Sequence, residues 1–165
     1  MNSTMQNTKH FIIDFDSTFT KVEALDLLGE ISLQNHPEKA ERLRAIKDIT
    51  DQGMEGEISF RESLDKRISL LDAQKDHLPA LIKRLREEVT ESFNRNKEFI
   101  RKYADQFYIL SNGFRDFITP VVEDFGIAPE NVFANDFVYA EDGRIVDFDR
   151  GNILSSNNGK PKQIE

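Results

Sequence analysis

The stretch KHFIIDFDSTFT, residues 9–20, decides the fold. Phe11, Ile12 and Ile13 form a short apolar run that stops at Asp14-Phe15-Asp16-Ser17-Thr18. A continuous apolar run near the start of a chain predicts a buried strand, in a parallel sheet covered on both faces. Side chains two apart on a strand share a face, so Asp14 and Asp16 are expected to point the same way, about 6–7 Å apart. Phe15 is expected on the other side. Two carboxylates at the carboxyl end of a central strand lie where open α/β sheets hold their ligands. The same residues also suit a polar turn, since Asp, Ser and Thr favour turns and helix N-caps.

Outward from this stretch the pattern becomes helical. Val22, Leu25, Leu28 and Ile31 have helical spacing and predict a helix over 22–33. His36-Pro37 opens a second helix, with Pro at its first position, running to about residue 51. Gly53 and Gly56 mark a break. Ser59 to Glu62 reads as a capping box starting a third helix with the stripe Phe60, Leu64, Ile68 and Leu71. A fourth helix is expected over 77–88 and a short one over 98–103. Strand character returns at 107–110 and is followed by Ser111-Asn112-Gly113, which suits a strand-to-helix turn. A helix over 115–125 is expected to kink at Pro120 and end at Gly126. A strand over 132–134 precedes a hairpin signal, in which 137–139 and 145–148 flank Asp142-Gly143. Residues 155–159 read as a polar loop, with a helix beginning at Lys160.

Alternating strands and helices imply an α/β fold with a doubly wound, Rossmann-like parallel sheet. The helical excursion after the first strand is too long for an ordinary crossover. It reads as an inserted helical cap, residues 21–92, over a core made of 9–20 and 93–165.

Composition narrows the function classes. A chain of 165 residues suits one domain, or a small core with an insertion. Its 38% hydrophobic and 32% charged residues are ordinary for a soluble globular protein. A net charge of −8 argues against nucleic acid and anionic membranes as partners. Without cysteine there is no disulfide framework, thiolate chemistry or Cys-based zinc site. His10, His36 and His77 match no metal-ligand spacing and read as surface or cap residues. Residues 1–8 are polar and do not resemble a signal peptide. No segment approaches the roughly 20 apolar residues that span a bilayer, so the expected compartment is the cytoplasm.

The string D-x-D-S-T directly after an apolar strand resembles the first motif of the haloacid dehalogenase-like phosphatases. Ser-Thr within it points to the phosphoserine phosphatase branch. The resemblance implies that Asp14 is a nucleophile and Asp16 a general acid/base. Ser111, with Asn112 and Gly113, resembles the second motif, whose hydroxyl and backbone N–H groups hold the phosphoryl group. That branch usually has Gly where this chain has Asn112. Lys160 resembles the third-motif lysine that neutralises the phosphate and the nucleophile, with Lys162 as the alternative. The string S-L-D-K-R-I-S-L-L resembles a cap helix whose Arg, here Arg67, clamps a substrate carboxylate. On spacing alone Arg67 reads as a snorkelling residue at the edge of its apolar stripe. Glu23 matches the acid that receives the substrate ammonium, and Met54 and Phe60 match residues that close over the site.

By this resemblance, which runs from about residue 9 to 160, the chain is expected to be a Mg²⁺-dependent phosphomonoesterase. Its substrate would be a small phosphorylated metabolite, most naturally phosphoserine in serine biosynthesis. The metal ligands from this chain would be the Asp14 carboxylate and the Asp16 main-chain carbonyl. The family's fourth motif, a Gly-Asp followed by a further Asp, has no counterpart before Glu165. The core is therefore expected to be truncated at its C-terminus, as a fragment or as a chain that ends there with impaired catalysis. Its first strand would then be an exposed edge that forms homodimers or aggregates. A non-catalytic phosphate-binding or regulatory relic is the alternative from another class. A signalling receiver domain is disfavoured by the long helical block.

Overall fold

The structure, a computed structural model, describes residues 8–165. The reading of residues 1–8 as polar and unlike a signal peptide lies, except for Thr8, outside the described residues. Strand β1 (Phe11–Ile13) pairs in parallel with β2 (Phe107–Phe114), which pairs in parallel with β3 (Val132–Asn135). Phe11, Ile12 and Ile13 lie opposite Phe107, Tyr108 and Ile109. Between β1 and β2 the chain forms α1 (Ala24–Ser32), α2 (Lys39–Glu55), α3 (Phe60–Leu71), α4 (Leu78–Glu87), α5 (Glu91–Arg95) and α6 (Lys97–Lys102). Helix α7 (Arg115–Glu123) joins β2 to β3, and the hairpin β4 (Phe137–Tyr139) and β5 (Ile145–Phe148) precedes α8 (Gly159–Ile164). This is an α/β fold with a parallel sheet.

Helices flank both faces of the sheet. Phe11, Ile13 and Phe107 look towards Phe93, Phe99 and Ile100 of α5 and α6. Ile12, Tyr108 and Phe133 look towards Ile164 of α8. An aromatic cluster ties the sheet to the helices. Phe15 stacks on Phe19 at 5.8 Å between ring centroids, and Phe19 meets Phe125 edge-on at 4.9 Å. Burying rings of this size supplies the largest apolar contributions to a core. The hairpin docks on the helical block, where Lys75 N–H donates to Gly143 O and Ile145 N–H donates to Ala73 O. No described helix is long and apolar enough to cross a membrane.

Several local expectations are corrected. The first strand is not buried: among the described residues it is an edge that pairs with β2 alone, and its side chains are only partly covered, Phe11 being 37% and Ile12 53% exposed. It also stops at Ile13, so Asp14 and Asp16 are not strand residues. Phe15–Phe19 forms a kinked helical turn in which Asp16 is extended (φ −64°, ψ 133°) and Ser17 is left-handed (φ 55°, ψ 18°). Pro37 precedes α2 instead of opening it, with Glu38 as the N-cap. Gly53 continues that helix, and Gly56, left-handed at φ 77°, ends it. Ser59 caps α3 by accepting from Glu62 N–H at 3.1 Å. Glu62 spends its own carboxylate on Lys66, one turn along, so the box is not reciprocal. Helix α5 adds an element to the sequence reading, because its five residues carry no readable period.

Candidate active site

The site begins where β1 ends. Asp14 caps the turn that follows, its Oδ1 accepting from Phe15 N–H at 2.7 Å and from Lys160 Nζ at 2.9 Å. Both of these bonds fall on one oxygen. The turn then closes on itself, with Ser17 N–H donating to Val22 O and Thr20 N–H to Phe15 O. Asp16 Oδ1 accepts from Ala24 N–H at 2.8 Å. Ala24 is the first residue of α1, and Glu23, its N-cap, makes no side-chain capping bond. Asp16 therefore satisfies one of the orphan donors at the start of that helix. Glu23 instead accepts from the Ser17 hydroxyl at 2.7 Å.

A cavity of about 270 Å³ opens above these groups. Every site residue expected from the sequence, except Ser111, lines it. Met54 is at the rim and 67% exposed, whereas Arg67 reaches in from α3 and is only 8% exposed. Ser111 is fully buried, and its Oγ accepts from Gly113 N–H at 2.9 Å, behind the cavity wall. Gly113 leaves little room for a side chain at its position. A Cβ there would approach Asp16 Oδ2 and Ser111 Oγ to 3.1 Å each. The Asn112 side chain turns to Leu154 O at 2.9 Å, so its amide is committed to protein. Between the two lysine candidates, Lys160 contacts Asp14 while Lys162 is exposed on α8.

Charges in this cavity perturb one another. Burial, then the nearby Glu23 carboxylate, pushes the Asp16 carboxyl up to about 7, against the pull of the Ala24 N–H. Burial lowers the pKa of Arg67, opposed by Asp26, Glu23 and Asp16. Asp26 is a participant that the sequence did not reveal. It lies one turn beyond Glu23 on α1, and its Oδ1 is buried without a hydrogen bond. Burial raises its pKa and Arg67 opposes the rise. A polar residue in the first turn of a helix reads as solvated, and only the packing of α1 against α3 makes it otherwise. Thr50, Gly53 and Ser63 also line the cavity without any sequence signal. The histidines stay outside: His36 and His77 accept from the backbone N–H groups of Glu38 and Gln74.

Chemically, the cavity joins a carboxylate held by an ammonium, a second carboxyl that is half-protonated near neutrality, and a buried guanidinium. A group titrating near the working pH can both give and take a proton. A guanidinium suits a carboxylate or phosphate.

A family model described as haloacid dehalogenase-like hydrolase matches residues 11–164. The chloroplastic phosphoserine phosphatase of Arabidopsis thaliana is 27% identical over 152 residues, 92% of this chain and 49% of that protein. Phosphoserine phosphatase of Homo sapiens is 25% identical over 92% of this chain and 64% of its own length. The chain thus spans about half to two thirds of these relatives. A phosphoserine phosphohydrolase-like protein from Francisella tularensis subsp. tularensis superposes with a TM-score of 0.78 at 30% identity, over 95% of this chain and 74% of that one.

Proposed function

The chain belongs to the haloacid dehalogenase-like hydrolase family, and from that premise we propose that it hydrolyses phosphoserine through a phosphorylated Asp14. The observation that carries this reading is the meeting, in one cavity, of Asp14 held by Lys160 and Asp16 titrating at about 7. The two donors on Asp14 Oδ1 leave Oδ2 as the attacking oxygen. An Oδ2–phosphorus bond forms as the bond from phosphorus to the serine oxygen breaks. Asp16 protonates that leaving oxygen, then takes a proton from the water that attacks phosphorus and frees Asp14. Lys160, beside Asp14, spreads the phosphoryl charge. Arg67 receives the substrate carboxylate and Glu23 its ammonium. In this reading residues 21–92 cap a core of 9–20 and 93–165. We assign the enzyme to serine biosynthesis in the cytoplasm.

Among the described residues no three His, Cys, Asp or Glu side chains gather as a metal-binding group. The donors this chain would offer a cation are the Asp14 carboxylate and the Asp16 main-chain oxygen. Hard oxygens in that small number fit Mg²⁺, which keeps several waters and shares its sites with phosphate. Bound there, Mg²⁺ would supply Lewis-acid neutralisation of phosphoryl charge.

Phosphate release from phosphoserine and from p-nitrophenyl phosphate, with and without Mg²⁺, tests the reading. Losing one partner of a charged recognition pair costs about 2–5 kcal/mol. Arg67→Ala and Glu23→Ala should therefore depress phosphoserine turnover far more than that of the plain ester. Equal losses would confine both residues to the structure of the helical block. A wild-type chain that binds phosphate but never releases it would be a relic instead of an enzyme.

A further inference from the structure

Arg61 has no local reason to be where it is. It is the second residue of α3, and a positive charge in the first turn of a helix opposes the dipole. Its guanidinium instead crosses to a segment about ninety residues away. Nε donates to Ser155 O at 3.3 Å, and one terminal nitrogen donates to Ser155 Oγ at 2.8 Å and Arg150 O at 3.0 Å. Neighbouring contacts follow the same path. Phe60 N–H donates to Asn157 Oδ1 at 2.8 Å, and Arg150 returns an ion pair to Asp65, one turn further along α3.

The segment that receives Arg61 is held at several points. Ser155 is fully buried and its hydroxyl donates to Asn152 O at 2.8 Å. Leu154 O accepts from Asn112 at 2.9 Å and from Asn135 at 3.1 Å. A Cβ on Gly159 would stand 2.3 Å from Ile153 O, so that turn is closed against its own backbone. Lys160 comes next, 2.9 Å from Asp14. Between Ser155 and Lys160, Ser156 Oγ donates to Ile153 O at 2.6 Å and Asn157 Oδ1 accepts from Phe60 N–H, which ties this short link to its own turn and to α3.

We propose that Arg61 is a positioning residue that couples the seating of α3, and with it Arg67, to the placement of Lys160 on Asp14. The inference rests on the reading of Arg67 and Lys160 as the two ends of the substrate site. A planar fork reaching three acceptors explains why Arg, and not Lys, is used. Through this joint, displacing α3 from the cavity also loosens the lysine that neutralises the phosphate side.

Arg61→Ala and Arg61→Lys, in the 165-residue chain, test the coupling by hydrogen exchange and by kinetics. Exchange should quicken in 59–71 and also in 152–164, with the Lys variant recovering little. Turnover of phosphoserine and of p-nitrophenyl phosphate should fall together by about tenfold, the scale of a lost charged hydrogen bond, because both esters use Lys160. Faster exchange confined to 59–71, or a loss on phosphoserine alone, would overturn the proposal. Should wild type hydrolyse neither ester, the functional reading fails, and the exchange pattern still decides the coupling. Should the Ala variant not fold, the Lys variant, which keeps the stem and charge, carries the test.

Discussion

Asp16→Asn should stabilise the protein at neutral pH while abolishing activity. Asn is isosteric and keeps the oxygen that accepts the Ala24 N–H, so the helix start remains satisfied. What it removes is a carboxyl whose pKa is pushed from 3.8 to about 7, first by burial and then by Glu23. Because the folded pKa lies above the unfolded one, the native state is favoured below about pH 4 and loses that advantage as pH rises towards 7. Above 7 the full penalty applies. Three units at roughly 1.36 kcal/mol each set a ceiling of about 4 kcal/mol. Partial solvent contact of the side chain reduces the expected gain to about 1–3 kcal/mol. Urea unfolding followed by circular dichroism, in chelator, at pH 4 and pH 8, measures it. The variant should match wild type at pH 4 and exceed it at pH 8. Equal stability at pH 8, or a gain that persists unchanged in acid, would refute the electrostatic account of Asp16.

Two further outcomes follow from the geometry. Gly113→Ala should lower turnover of every phosphomonoester alike, with little change in fold, because the new methyl crowds Asp16 Oδ2 and Ser111 Oγ; a fully active variant would show that this wall has room. Among the described residues β1 pairs on one side alone, with Phe11 and Ile12 exposed; this edge should pair with another strand, so light scattering after size exclusion should give dimers or larger species. A clean monomer would show that this edge is protected.

Much of this architecture is legible in the chain because it rests on period. The run Phe11–Ile13, the stripe of α3 and the Asp-Gly hairpin each have one reading, and each forms the element expected. The gathering of Asp14, Glu23, Arg67, Asn112 and Lys160 around one cavity was accessible only through motif resemblance, since their separations carry no period. Three features were hidden for physical reasons. The left-handed Ser17, which turns Asp16 towards α1, lies in a conformation that its residue type does not advertise. Asp26 becomes a buried partner of Arg67 only when α1 and α3 pack. Arg61 reads as an ordinary solvated charge until the fold brings Arg150 and Ser155 to it.

The central claim is that Asp14 becomes phosphorylated, and trapping tests it most directly. The chain is mixed with radiolabelled phosphoserine and Mg²⁺, quenched in acid within one turnover, digested and mapped. The account predicts label on the peptide containing Asp14, absent from Asp14→Asn and chased off by unlabelled substrate. Label on any other residue, or phosphate release with no labelled protein, would contradict it.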